Sequence, residues 1–240
     1  LQPHPYPLPP NFSGRVYERD QLTSWLNADY DHALLVLHAP AGFGKSMLAW
    51  QWLQRDVHPA HWRRVIWWDF AENFASFEYF LVEALTYLQV PLSHLSGPRQ
   101  QADELLRLLR EPEGENILLV LDSFERLLDA YRGMQAAYQG DRLPDIHQRV
   151  AINPLVEYFL RSLLAEPKVR GKLLLVSRLR PHALEEPSGV LLQGCRELEP
   201  GPLHPDNAID FFRAQGVRGS RIQIDEICAA SGYHPLSLAL

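Results

Sequence analysis

The chain alternates between short unbroken apolar runs and longer stretches with helical spacing. Ala33-Leu-Leu-Val-Leu-His38 is the first apolar run and reads as a buried strand. Similar runs are Arg64-Val-Ile-Trp-Trp-Asp69, Asn116-Ile-Leu-Leu-Val-Leu121 ending at Asp122, and Lys172-Leu-Leu-Leu-Val176. A fifth strand is contained in Val190 to Leu198. Between them the spacing changes to that of helices. Residues 17–27 place Leu22, Trp25 and Leu26 on one face. Helices are predicted over 45–54, 76–89, 102–110 and 154–165, and 131–149 reads as a long polar surface loop. The 102–110 helix carries acidic residues early and arginines late, in keeping with the helix dipole.

Strands alternating with helices predict βαβ units. The expected fold is therefore α/β, a mostly parallel five-stranded sheet with helices on both faces. From residue 203 the pattern changes. Helices near 205–215, 222–231 and from 235 follow one another without a strand. The expected organisation is a proline-rich linker at 1–11, an α/β domain at 12–200 and the beginning of a helical subdomain at 201–240. Leu1 in place of Met, and an apolar run still open at Leu240, suggest a segment of a longer protein.

A length of 240 residues with 46% hydrophobic and 22% charged residues suits one large soluble domain with an appendage. The net charge of -6 argues against general nucleic-acid binding. Cys195 and Cys228 are far apart, which excludes a CxxC zinc signature and fits a reduced, cytoplasmic chain. No apolar run reaches the ~20 residues needed to span a bilayer.

The chemistry starts directly after the first strand, at Ala39-Pro-Ala-Gly-Phe-Gly-Lys-Ser46. This is the G-x-x-x-x-G-K-[ST] pattern with Ala39 at the first glycine position. Such a loop turns backbone N–H groups toward phosphate oxygens at the start of a helix. Gly42 and Gly44 permit the close approach and positive φ that this requires. Pro40, Ala41, Phe43 and Met47 complete the candidate binding stretch. Lys45 is expected to reach the β- and γ-phosphates of a purine nucleoside triphosphate, and Ser46 to hold Mg²⁺. Asp122 ends the third strand and is the candidate second Mg²⁺ ligand. Ser123 follows it, so Glu125 is the candidate to orient an attacking water. Arg178 ends the fourth strand and is the candidate sensor of the γ-phosphate, with Arg180 as second choice. His38 is expected to pack in the core. His234 could touch ribose or base, or lie in a surface loop.

With these elements in place, the chain resembles the STAND class of P-loop NTPases, the group of NB-ARC (AP-ATPase) and NACHT regulators, in its prokaryotic form. Phe12-Ser-Gly-Arg15 with Glu18 and Leu22 is similar to that group's GR-x-x-E-x-x-x-L motif. The resemblance implies that Phe12, Gly14 and Arg15 lie near adenine and phosphates. Asp122-Ser-Phe-Glu125 is similar to the extended Walker B motif, and Leu173 to Arg178 to the sensor strand. Gly232-Tyr-His-Pro235 is similar to the GxP motif, whose proline packs against adenine, although here two residues precede the proline. Arg126 replaces the second acidic residue of the usual pair, which does not favour strong hydrolysis. The aromatic segment from Trp67 to Phe80 is expected to serve as core.

The resemblance implies a switch between an ADP-bound resting state and an ATP-bound state that self-associates, with slow ATP hydrolysis. It also implies an N-terminal effector and C-terminal winged-helix and sensor regions outside this sequence. A non-hydrolysing ATP/ADP-binding scaffold remains the alternative, and a P-loop small-molecule kinase is a more distant one.

Overall fold

The computed structural model describes residues 12–71, 76–112, 116–132, 146–166 and 169–239. The 1–11 linker and most of the 131–149 loop lie outside them. The strands are β1 (Leu34–His38), β2 (Arg64–Asp69), β3 (Ile117–Asp122), β4 (Lys172–Ser177) and β5 (Cys195–Leu198). They form one sheet in the order β2-β3-β4-β1-β5, and every neighbouring pair is parallel. The fifth strand occupies only the last four residues of the stretch that predicted it.

The helices are α1 (Val16–Ala28), α2 (Lys45–Arg55), α3 (Phe77–Tyr87), α4 (Pro98–Arg110) and α5 (Pro154–Leu164), then α6 (Pro205–Ala214), α7 (Arg221–Ala230) and α8 (Pro235–Ala239). α4 starts a turn earlier than its apolar spacing predicts. Pro98 occupies its first turn, where a missing N–H costs nothing. Asn153 caps α5 by accepting from the Leu155 N–H, and Pro154 follows it. Ser220 and Gln223 close a capping box on α7.

Side chains alternate across the sheet, so each strand feeds two cores. Leu34 and Val36 pack with α3, α4 and α5 on one face. Leu35 and Leu37 pack with Trp25 of α1 and Trp52 of α2 on the other. Each such fully buried Leu contributes on the order of 1.5–3 kcal/mol. The aromatic residues Trp67, Trp68, Phe70, Phe77 and Phe80 are all buried in these cores, as expected. A third, smaller core unites α6, α7 and α8 around Ala208, Ile209, Ile224 and Cys228.

This topology decides where the chemistry can sit. β4 lies between β1 and β3, and His38 pairs in register with Ser177 as Asp69 does with Asp122. The carboxyl ends of β1, β3 and β4 therefore open onto one edge. In open parallel sheets, ligands bind at that edge.

Candidate functional site

A cavity of about 580 Å³ opens at that edge. Its floor carries Lys45, Ser46, Asp122, Glu125 and Arg178. Its apolar side is formed by Phe12 and Met47 with Leu203, Phe211, Pro235 and Leu236. The structure thus gathers almost every residue that the sequence proposed, including Arg15 and Ala41 to Gly44. Pro40 and Gly14 lie outside the lining; the Pro40 carbonyl is held by Lys45, whereas Gly14 sits against Asn207. Leu203, Phe211 and Gln215 were missed. They lie on α6 and at its two ends, whose distance in sequence from the loop hides their approach to the cavity.

The loop between β1 and α2 is held from outside by its carbonyls. The Lys45 Nζ donates to the Pro40 carbonyl at 2.9 Å. The His234 Nε2 lies 3.3 Å from the Ala41 carbonyl oxygen. The Leu236 N–H donates to the Gly42 carbonyl at 3.1 Å. The Arg15 guanidinium donates to the Phe43 carbonyl at 3.2 Å. Among the described residues, the N–H groups of Gly42, Phe43 and Gly44 have no protein acceptor. Gly42 and Gly44 both have positive φ, at 84° and 78°. Gly42 is also needed for clearance, since a Cβ there would lie 2.5 Å from the His234 ring.

The floor is electrostatically tense. The Ser46 hydroxyl donates to an Asp122 oxygen at 2.9 Å. Burial, and then the neighbouring Asp69, push the Asp122 carboxyl up to about 7. Burial also pulls the Lys45 ammonium down to about 8, although Glu125 and Asp122 favour its charge. Ser123 takes a left-handed φ of 54°, and this turn swings Glu125 back beneath the cavity. There Glu125 is only 5% exposed. One of its oxygens accepts from the Arg178 backbone N–H at 3.0 Å, and the other lies 3.1 Å from the Arg178 Nε.

The second-choice sensor, Arg180, is placed elsewhere. It pairs with Glu185 at 2.6 Å and Glu197 at 2.8 Å. Arg126 sits over the Tyr131 ring. His38 is not sealed in the core, because its Nε2 lies 3.3 Å from Glu197 at the sheet edge. His234 is neither free nor in the cavity lining, and packs against the loop itself.

The groups fit a nucleotide with its cation. Unpaired backbone donors and a desolvated lysine suit phosphate oxygens. A hydroxyl beside a carboxylate suits Mg²⁺. The apolar side suits a flat base.

No protein family's sequence profile matches the chain, and no curated protein does. Solved structures do resemble it. A STAND protein with a tetratricopeptide repeat sensor from Pyrococcus horikoshii superposes with a TM-score of 0.60 at 16% identity, covering 97% of this chain and 30% of its own. A Walker-type ATPase of Pyrococcus abyssi gives 0.57 at 19% identity, covering 95% of this chain and 65% of its own. Cdc6p from Pyrobaculum aerophilum gives 0.55 at 19%, covering 92% and 56%. The chain therefore spans between about a third and two thirds of the length of these proteins, and its fold is that of P-loop ATPases. Among the described residues no helix is long and apolar enough to cross a membrane.

Proposed function

We propose that this chain is the nucleotide-binding module of a STAND-type switch that takes ATP or ADP with Mg²⁺. One observation carries the reading. The Gly42–Gly44 N–H groups stand unpaired beside a cavity whose far side belongs to the helical subdomain. A single ligand would then touch both parts, which is what a switch requires.

In this reading Lys45 and the loop N–H groups hold phosphates, and Ser46 and Asp122 hold Mg²⁺. The cation would neutralise phosphate charge. Phe12, Met47 and Pro235 flank the base, and Gly14 and Arg15 brace the loop. Arg178 senses the γ-phosphate, and Glu125 orients water. Residues 12–200 then form the nucleotide domain and 201–240 the start of the helical subdomain. Self-association in the ATP state, and effector, winged-helix and sensor regions elsewhere in a longer cytoplasmic protein, belong to the same proposal. Support comes from the motifs, the cavity and the shared fold.

The second reading is a scaffold that binds without hydrolysis. It is favoured by the double hold of Glu125 on Arg178, which occupies the proposed base. The deciding experiment is to denature the purified protein, identify the released nucleotide, and follow ATP loss over hours. Retained ADP with slow turnover is expected. Turnover of many per second would sink the switch, and absence of any nucleotide together with no ADP affinity would sink both readings.

A further inference from the structure

We infer that His234 is a positioning residue for the phosphate-binding loop, through which the helical subdomain presets the loop's anion-binding N–H groups. The inference rests on the nucleotide reading above and adds to it a coupling element outside the cavity lining.

The argument begins with the tautomer. His234 is the residue before α8, and the Ser237 N–H donates to its Nδ1 at 3.3 Å. A backbone N–H can only donate, so Nδ1 is an acceptor, and the Ser237 hydroxyl, 3.1 Å from the same nitrogen, can donate to it as well. The proton then lies on Nε2, which faces the Ala41 carbonyl at 3.3 Å and donates to it. The ring also meets Phe43 edge-on, with centroids 4.7 Å apart. One side chain thus caps α8 and grips the loop at once.

Peptide planarity converts that grip into orientation. In a trans peptide the C=O and the N–H of one unit point in opposite directions. Fixing the Ala41 carbonyl fixes the Gly42 N–H on the other side. The Leu236 N–H on the Gly42 carbonyl does the same for the Phe43 N–H. Arg15 on the Phe43 carbonyl does it for Gly44. Two of these three braces come from the helical subdomain. If that subdomain shifts, the cradle loses its set, and by linkage an anion bound in the cradle favours the docked subdomain.

The test separates capping from positioning. Asn is a good helix cap but too short to span to Ala41. Gln extends the amide further toward it. Calorimetric titration with Mg²⁺-ADP and with adenosine is done on wild type, H234A, H234N and H234Q, with thermal melting alongside. One neutral hydrogen bond corresponds to a change of about threefold to tenfold. We expect H234N to melt as wild type yet bind ADP about threefold to tenfold more weakly, with adenosine affinity unchanged. H234Q should recover part of the ADP affinity. ADP affinity equal to wild type in H234N overturns the inference, as does an equal loss for adenosine. Wild type that binds no ADP at all overturns the underlying nucleotide reading instead.

Discussion

Glu125 holds Arg178 at two points, one carboxylate oxygen on its backbone N–H at 3.0 Å and the other 3.1 Å from its Nε. The contact joins the end of β4 to the turn after β3, across 53 residues of sequence. It means that the proposed base and the proposed sensor are not independent. An anion that draws the Arg178 guanidinium toward itself frees one Glu125 oxygen while the backbone contact keeps the carboxylate in place.

Glu125→Gln should therefore lower ATP turnover by about 100-fold or more while leaving Mg²⁺-ADP affinity within a few-fold. General-base contributions are typically of order 10²–10⁴. The amide oxygen of Gln still accepts from the Arg178 N–H, so the turn should survive. Steady-state turnover and an ADP titration on the same preparations check this. Equal turnover in both proteins removes Glu125 from the chemistry and favours the scaffold.

Lys45→Ala should weaken Mg²⁺-ADP binding by more than about tenfold, the minimum for losing one charge-assisted hydrogen bond to phosphate. Its pH signature is separate. Native Lys45 titrates at about 8, against an ordinary value of 10.5. Between these values the unfolded chain holds more protons, so native stability rises with pH. Lys172 titrates at about 8 as well and adds the same sign. The nucleotide-free wild type should thus gain stability from pH 8 to 10.5 more steeply than Lys45→Ala, as read from urea unfolding at each pH. Parallel curves would show that Lys45 keeps an ordinary pKa.

Asp122→Asn should abolish most of the Mg²⁺ dependence of ADP binding. Asn still accepts from the Ser46 hydroxyl but cannot balance the cation's charge. ADP titrations with Mg²⁺ and with a chelator measure the ratio directly. A ratio matching wild type would assign the cation to other ligands.

The strands and the P-loop were legible because their signals are local. The run 34–37 is continuously apolar and the loop follows at once. Asp122 could be found by its place at a strand end, and Glu125 by its distance from Asp122. Arg178 could be ranked above Arg180 by its place directly after β4, but that Glu185 claims Arg180 is a contact no local pattern shows. His234 and Gly42 lie 192 residues apart, and no periodicity joins them. The Asp69–Asp122 pairing was hidden for the same reason, because strand order is not written in either strand. Local patterns specify elements, whereas the contacts that tune the site are long-range.

Glu185 should be a stability determinant distinct from the site. It is 2% exposed and clamped between Arg149 and Arg180. Burial pushes its carboxyl up, but the hydrogen bonds from Arg149 and Arg180 outweigh this and hold it below the ordinary 4.5. Its contribution is therefore present above the unfolded value and is lost as pH falls below it. Glu185→Gln should cost about 3 kcal/mol at neutral pH, in line with breaking a buried ion pair. That difference should shrink below about pH 4.5, as equilibrium unfolding would show. A constant difference down to pH 3 would mean that the charge does not matter.

Gly42→Ala tests the seat of the helical subdomain from the other side. The substitution meets two obstacles. A φ of 84° is costly for any residue with a Cβ, by about 1–2 kcal/mol. The new methyl would also sit 2.5 Å from the His234 Cε1 and 2.9 Å from the Leu236 Cβ. Removing the ring relieves only the clash with the ring. Gly42→Ala alone should therefore lower both the melting temperature and Mg²⁺-ADP affinity. Combined with His234→Ala it should cost less than the sum of the two single changes. Contacting residues show such non-additivity, whereas distant ones add within about 0.5 kcal/mol. A four-protein cycle of unfolding free energies measures the coupling. Strict additivity would mean that the ring does not rest on Gly42 in solution, and the subdomain would then have to reach the loop through Leu236 alone.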